Sequence, residues 1–286
     1  MNLSEKKLKE LSGHSGCRLC LYQKNEKYFV RKDAGNVSYN RRLKKQFIKQ
    51  KYFTLSDIKT PAILGYGIKE GIFFFDMEYV QGATLANIFK NIQLNEIEHL
   101  IELLFNSLLI NQGQYRNNAA AIFKKKISEI SNNIGCKTDI VSESLNLLFG
   151  YDFNQVPYSY CCGDLTLENI ILTPSGQIYL IDLLDSFYNS WMIDVAKLLQ
   201  DLELGWSYRY EKRNFNLNLR LSTAKNILLT RLSTLNQGHK YIESIYILLL
   251  LNTLRIVPYI KDHVTELFID EALHKIINII KELREE

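Results

Sequence analysis

The sequence predicts an α+β fold, with an antiparallel-sheet N-terminal part and a mainly helical C-terminal part. Two observations support this prediction. Up to about residue 80, the apolar residues form short β-type runs that are separated by turn signals. From Thr84 onward, the apolar residues recur about every 3.6 positions, which is the helical period. We therefore predict an N-lobe over residues 1–80 and a C-lobe over residues 81–286.

The composition is that of a compact soluble protein. The chain has 286 residues, enough for two lobes, and 47% of them are apolar and 23% charged. The net charge of +4 is modest, and lysine clusters such as residues 124–126 are typical of solvated helix faces rather than of a nucleic-acid groove. We predict no nucleic-acid partner, and the sequence leaves the oligomeric state open.

The sequence also indicates a cytoplasmic protein. The first ten residues lack the apolar core of a signal peptide. The longest apolar stretch, residues 245–251, is shorter than the ~20 residues that span a bilayer, so no membrane insertion is predicted. The five cysteines, an odd number, fit a reducing compartment in which they remain thiols.

The N-lobe begins with a predicted hairpin whose strands cover residues 17–22 and 28–32. Gly13, Ser15 and Gly16 belong to the turn before the first strand, where glycine backbone amides can approach an anion closely. Taken alone, this Gly-x-x-Gly is a weak signal that an ordinary turn would explain. In the second strand, Arg31 and Lys32 should point to opposite faces.

A basic amphipathic helix is predicted next, over residues 37–53, with Leu43, Phe47 and Ile48 facing inward. Two further strands are predicted after this helix, over residues 61–67 and 71–80. In the C-lobe, Thr84 and Asn95 are candidate N-caps of the first two helices. The remaining helices are predicted at residues 117–133, 138–149, 191–202, 219–235, 240–256 and 264–283.

The segment of residues 160–186 contains the most informative pattern. Two short apolar runs, residues 170–172 and 178–181, flank a Pro- and Gly-containing turn and predict a β-hairpin. Asn169 precedes the first strand and Asp182 follows the second, so antiparallel pairing brings both to the same end. Asp164 lies five residues before Asn169. Magnesium prefers such oxygen ligands together with phosphate oxygens and water, which suits phosphoryl transfer.

These residues resemble a known catalytic loop. Gly163-Asp164-x4-Asn169, the hairpin and Asp182 resemble the catalytic loop and metal-binding Asp of protein-kinase-like phosphotransferases. Within that superfamily, the pattern is similar to the aminoglycoside phosphotransferase and choline kinase group, whose motifs are His-Gly-Asp-x4-Asn and Ile-Asp-Phe. The resemblance implies a bilobal protein-kinase-like fold. It also implies that Asp164 is the catalytic base, that Asn169 is a magnesium ligand and that Asp182 is the principal magnesium ligand.

The resemblance further implies a nucleotide site in the N-lobe. Gly13, Ser15 and Gly16 would form the loop that covers the phosphates, and Lys32 would contact the α- and β-phosphates.

Residues 77–82 resemble the hinge between kinase lobes. There the backbone of Glu78 and Val80 would bind the adenine edge, and Met77 would line the back of the pocket. Because backbone groups read the base, the sequence leaves ATP and GTP both open as phosphoryl donors.

Three positions depart from the family pattern. Cys162 replaces the usual His, and Leu183 replaces the usual Phe. No Glu occurs between Asp33 and Lys69 to pair with Lys32, so we expect the neutral amide of Gln46 or Gln50 to accept a weaker hydrogen bond from it. Asp194 matches a family position that braces the catalytic loop.

The acceptor is predicted only by class. Residues 205–211 are a candidate acceptor lining, although an aromatic cluster between helices is more often core. The mild basicity disfavours a polycationic aminoglycoside, and no aromatic cage for choline is evident.

We predict an ATP-dependent small-molecule kinase that transfers the γ-phosphoryl group to a hydroxyl of a sugar-like or other small metabolite. One alternative is an atypical protein-directed kinase, which is disfavoured because no Ala-Pro-Glu motif follows Asp182. Another is a nucleotide-binding scaffold with little catalysis, which the missing Glu and Cys162 would fit.

Overall fold

The computed structural model describes residues 5–11, 16–53, 57–109 and 113–285. The contacts divide the chain into two compact units. The first unit comprises residues 1–84 and 169–185, and the second comprises residues 85–168 and 186–286. The hairpin predicted after the catalytic loop therefore packs as part of the first unit.

The described residues of the first unit form two sheets and one long helix. Their bounds are β1 (Lys6–Leu11), β2 (Arg18–Lys24), β3 (Lys27–Asp33), α1 (Asn40–Tyr52), β4 (Ile58–Lys59), β5 (Ile63–Lys69), β6 (Ile72–Glu78), β7 (Ala83–Thr84), β8 (Ile170–Leu172) and β9 (Ile178–Leu180). The larger sheet is antiparallel, in the order β1-β2-β3-β6-β5. The smaller sheet has the order β4-β9-β8-β7, in which only β4 runs parallel to its neighbour.

The core of the larger sheet follows the strand alternation. Phe73, Phe75 and Met77 of β6 are buried on one face, and they pack with Leu43 and Phe47 of α1 in the same apolar cluster. The helix is thus amphipathic, as predicted.

One inward residue of α1 was predicted wrongly. Ile48 is 53% exposed, whereas Gln46 and Gln50 are buried. The buried face of α1 runs through residues 43, 46, 47 and 50, and Ile48 lies off that helical stripe.

The second unit is helical, and each helix predicted for it is present. The bounds are α2 (Leu85–Ile88), α3 (Leu94–Leu109), α4 (Ala119–Asn133), α5 (Asp139–Gly150), α6 (Trp191–Leu202), α7 (Phe215–Ser233), α8 (Gly238–Leu254) and α9 (His263–Glu285). The predicted Asn95 cap is wrong, because α3 already begins at Leu94 and the Glu96 carboxylate accepts the Gln93 N–H.

Helix α8 forms the centre of the second unit and packs against α6, α7 and α9. The stretch Gly238–Tyr259 is long and apolar enough to cross a membrane by length and composition, but 67% of its most apolar window is buried. The prediction of no membrane insertion rested on the shorter apolar run of residues 245–251, which lies within this stretch. The burial matches a core helix, and a core helix passes the same length and composition test.

Candidate functional site

Asp194 fixes the loop that carries the predicted catalytic base. It lies in the first turn of α6 and is fully buried. Its carboxylate accepts the backbone N–H of Cys162 at 2.5 Å and that of Gly163 at 2.7 Å. Gly163 has φ of 88°, a left-handed conformation that glycine adopts without steric cost. The two residues before Asp164 are therefore held by charge-assisted hydrogen bonds, as the family position of Asp194 implies.

A second carboxylate of α6 holds the other side of this loop. Asp201 is fully buried, and its two oxygens accept the N–H groups of Leu167 and Ser207, each at 2.7 Å. Burial raises the pKa of Asp201 to about 6, although the hydrogen bonds from Leu167 and Ser207 act in the opposite direction. Asp201 therefore connects the catalytic loop to the residue 205–211 segment.

Asp164 itself forms an ion pair with Lys197 of α6. The Lys197 Nζ lies 3.1 Å from Asp164 Oδ1 and donates to Gln200 Oε1, also at 3.1 Å. The two side chains of the pair are 15% and 23% exposed. Sequence reasoning missed both Lys197 and Asp201.

A signal for these residues was present in the sequence. Asp194, Lys197 and Asp201 are spaced i, i+3 and i+7, so they share one face of a mostly apolar helix. The structure shows that this polar stripe of α6, residues 194, 197 and 201, contacts the catalytic loop.

The predicted metal ligands lie at one end of the β8–β9 hairpin. The pairing of Ile170 with Leu180 and the 2.9 Å hydrogen bond from Ile181 N–H to the Asn169 carbonyl bring the two chain ends together. Asn169 and Asp182 are the residues at that end, in the arrangement the sequence predicts.

Their amide and carboxylate oxygens are hard donors of the kind magnesium takes. Within the described residues, no group of three or more His, Cys, Asp or Glu side chains could hold a metal ion. These two donors therefore suit a magnesium ion that obtains its other ligands from phosphate oxygens and water.

Lys32 pairs with Asp182 in the structure. The lysine is 3% exposed, and its ammonium donates to Asp182 Oδ1. Arg31 lies on the other face of β3, as predicted, where it forms a bidentate pair with Asp76 at 2.7 Å for both bonds.

The expected amide partners of Lys32 are not used. Gln50 donates to the Pro61 carbonyl at 2.9 Å, and the buried amide of Gln46 has no hydrogen-bond partner within the described residues. The Asp182 carboxylate, a stronger acceptor than a neutral amide, accepts the hydrogen bond from Lys32 instead.

The structure describes only part of the predicted phosphate-covering loop. Gly13 and Ser15 lie outside the described residues. At Gly16, a Cβ would lie 3.2 Å from the Tyr39 ring, so a larger residue would crowd that ring. Any other residue at this position would require the Tyr39 ring to shift by a few tenths of an ångström.

The predicted hinge residues lie at and beyond the end of β6. Met77 is buried in the core of the larger sheet, and the Glu78 N–H donates to the Ala62 carbonyl at 2.9 Å. No hydrogen bond of the Val80 backbone is found among the residues that the structure describes.

The candidate acceptor segment is partly core. Tyr208 is fully buried and donates to the Ala86 carbonyl at 2.8 Å. The guanidinium of Arg209 stacks over Trp206 at 3.9 Å and over Tyr210 at 4.4 Å from the ring centroids. An internal cation therefore covers one face of each of these rings.

Comparisons with known proteins identify the fold. No protein-family model matches the chain, and no curated protein is similar enough in sequence to match it. Among solved structures, the chain is similar to a protein assigned as a fructosamine-3-kinase from Haemophilus somnus, with 15% identity, a TM-score of 0.60 and coverage of 96% of this chain and 92% of that one.

Two further structures are similar to the same extent. Aminoglycoside phosphotransferase APH(4)-Ia shares 12% identity at a TM-score of 0.60, with 97% of this chain and 94% of that one covered. Choline kinase LicA from Streptococcus pneumoniae shares 17% identity at a TM-score of 0.57, with 96% and 94% covered. The chain therefore has the protein-kinase-like fold that these proteins share, as the sequence predicts.

Proposed function

We propose that the protein is a small-molecule kinase that transfers the γ-phosphoryl group of ATP to a hydroxyl group. The observation that carries this proposal is the pair of buried α6 carboxylates, Asp194 and Asp201, which hold the backbone on both sides of Asp164. Fixing one carboxylate so firmly is useful where an acceptor must be oriented, because phosphoryl transfer depends mainly on positioning and electrostatic stabilisation.

In the proposed reaction, Asp164 accepts the proton of the acceptor hydroxyl. The hydroxyl oxygen forms a bond to the γ-phosphorus, the bond between that phosphorus and the β–γ bridging oxygen breaks, and ADP leaves with the electron pair. Asn169 and Asp182 would hold Mg²⁺, which neutralises charge on the phosphate oxygens when bound.

Lys32 has a proposed role on the donor side. Its ammonium shares Asp182 with the proposed metal site. Because two cations repel each other at one carboxylate, magnesium binding would favour release of Lys32 toward the α- and β-phosphates of the nucleotide. The ion pair thus keeps the buried ammonium neutralised until the nucleotide arrives.

The adenine contacts are proposed to come from the hinge backbone. The Glu78 N–H is already used within the sheet, so its carbonyl would be the group that contacts the base, and Val80 would supply the other backbone contact. The similar APH(4)-Ia structure contains ADP and hygromycin B, and LicA has been solved with AMP, which supports an adenine nucleotide as donor. GTP stays an alternative donor to be tested.

The acceptor is proposed as a small hydroxyl-bearing metabolite, sugar-like or otherwise. The three similar proteins are named for chemically different acceptors, so they support the class rather than one compound. We also propose a cytoplasmic location. The five cysteines, an odd number, support this proposal because they fit a reducing compartment.

The test is an acceptor screen that follows ADP release. Wild type is incubated with ATP and Mg²⁺ and with panels of sugars, polyols, amino alcohols and glycated amines, beside the Asp164→Asn variant. We expect at least one acceptor to stimulate ADP release in wild type, and the variant to lose about 100-fold or more of that turnover, because an amide cannot accept the proton. Equal turnover in Asp164→Asn would contradict the proposed base.

A further inference from the structure

We propose that Lys197 is a catalytic residue of the proposed phosphotransfer, a role that none of Asp164, Asn169 and Asp182 fills. Its ammonium would bind an oxygen of the transferring phosphoryl group while it orients the Asp164 carboxylate. This inference rests on the proposed function and adds to it a specific cation for the transition state.

Lys197 is held where such a cation is needed. It contacts Asp164 Oδ1 at 3.1 Å, and Gln200 one turn along α6 accepts a second hydrogen bond from it. Its side chain is only 15% exposed, and its helix is buried along nearly its whole length. The ammonium is therefore pre-positioned on the carboxylate rather than free in solvent.

The chemistry of transfer brings the phosphoryl group close to this ammonium. An acceptor hydroxyl that is hydrogen-bonded to Asp164 lies roughly 3 Å from the carboxylate, and it attacks the phosphorus from roughly 3–3.5 Å. The equatorial phosphoryl oxygens thus come within reach of a flexible lysine bound to the same carboxylate. Lysine commonly binds phosphate oxygens, and its positive charge is concentrated on the compact ammonium group.

The catalytic loop and the sequence around it carry no cationic residue of their own. Residues 138–196, which include the whole catalytic loop and the β8–β9 hairpin, contain no Lys, Arg or His. Negative charge that develops on the transferring phosphoryl group must therefore be stabilised by magnesium or by side chains from other segments. Lys197 comes from such a segment, and the structure places its ammonium on Asp164 itself.

The competing explanation is that the pair only stabilises the fold. A purely structural pair would affect stability alone, so this explanation predicts a fall in the thermal midpoint and unchanged turnover. Lys225 provides a matched control, because it also pairs with a carboxylate of the second unit, at 3.2 Å from Glu203, and its side chain is 23% exposed.

The experiment compares wild type, Lys197→Met, Lys197→Arg and Lys225→Met. The first measurement is kcat and KM for ATP with an acceptor found in the screen. We expect Lys197→Met to lose about 100-fold in kcat with little change in KM, because the lost contact forms only in the transition state. Lys197→Arg should regain much of kcat, and Lys225→Met should resemble wild type.

The second measurement needs no acceptor. ADP, Mg²⁺ and aluminium fluoride together mimic the transferring phosphoryl group, and they should raise the thermal midpoint of wild type and Lys225→Met above that with ADP and Mg²⁺ alone. Lys197→Met should lose this additional rise and keep the rise with ADP and Mg²⁺.

The possible results are distinct. Near-wild-type kcat in Lys197→Met, or a full aluminium fluoride effect in that variant, would overturn the role of Lys197 and leave the proposed function intact. Wild type that shows neither nucleotide-dependent stabilisation nor ADP release would refute the proposed function itself, and the role of Lys197 with it.

Discussion

Replacement of Asp201 by Asn should change how stability depends on pH. Asp201 accepts two backbone N–H groups while fully buried, and burial raises the pKa of its carboxyl from 3.8 to about 6. Glu168 adds a smaller repulsion in the same direction. Asn does not titrate, and its loss of one of the two accepted hydrogen bonds adds the same cost at every pH, so the change of the difference with pH reports the ionisation of this one group.

The sign follows from proton linkage. The pKa of Asp201 is higher in the folded chain than in the unfolded chain, so its contribution to stability is fully present below about pH 4 and is lost as the pH rises through about 6. A shift of about two units corresponds to about 3 kcal/mol. The free energy of unfolding of wild type minus that of Asp201→Asn should therefore fall by about 2 kcal/mol between pH 4 and pH 7, because part of the full effect lies below pH 4.

Urea unfolding followed by tryptophan fluorescence measures this difference. The chain has two tryptophans, Trp191 and Trp206, and both belong to the second unit with Asp201. The signal therefore reports the unit that contains the substitution. Asp270→Asn, on the exposed side of α9, is a matched variant that removes a surface carboxylate from the same unit.

A difference between wild type and Asp201→Asn that stays constant from pH 4 to pH 7 would refute the reasoning. It would mean that the hydrogen bonds from Leu167 and Ser207 fully offset the burial of the charge. If the difference in free energy of unfolding rises with pH instead, the hydrogen bonds from Leu167 and Ser207 stabilise the ionised carboxylate more than burial destabilises it.

Three further predictions concern the site. Asp194→Asn should lower the free energy of unfolding by about 2–3 kcal/mol and reduce turnover, because an amide can accept only one of the two N–H groups of residues 162 and 163; urea unfolding and ADP release check both effects, and full activity would contradict the bracing role. Lys32→Met should lower the thermal midpoint without nucleotide, because it leaves the Asp182 carboxylate without the buried ammonium that pairs with it, and it should weaken the stabilisation by ATP; an unchanged ATP effect would exclude Lys32 from the nucleotide site. Cys162→His should retain turnover at a lower thermal midpoint, because Cys162 is 3% exposed and an imidazole is larger; complete loss of turnover in a folded variant would give the thiol a specific role.

The sequence predicts the strongly periodic elements well. The longer helices of the second unit carry apolar stripes, and the β8–β9 hairpin has two apolar runs around a clear turn. Strands β4 and β7 were missed because each has two residues, which is too short to show an alternation. The smaller sheet was therefore predicted only as its central hairpin.

The candidate site residues that belong to a sequence motif could be predicted. Interactions between residues far apart in the sequence, or with backbone groups, could not. Asp164, Asn169 and Asp182 follow from spacing, and their proposed roles await the experiments above. The pairing of Lys32 with Asp182 joins residues 150 positions apart, and no local pattern marks it. The partners of Asp201 are backbone N–H groups, which every residue except proline carries, so the sequence does not single them out.

The most direct test of the central claim is the thermal midpoint of wild type and Asp182→Asn with ATP and with GTP, each with and without Mg²⁺. Ligand at a hundredfold over its dissociation constant adds about 2.7 kcal/mol to the free energy of unfolding, which is readily measured. We predict a magnesium-dependent rise in wild type that disappears in Asp182→Asn. The absence of a rise with either nucleotide in wild type, or an equal rise in the variant, would contradict a metal-dependent nucleotide site at Asp182.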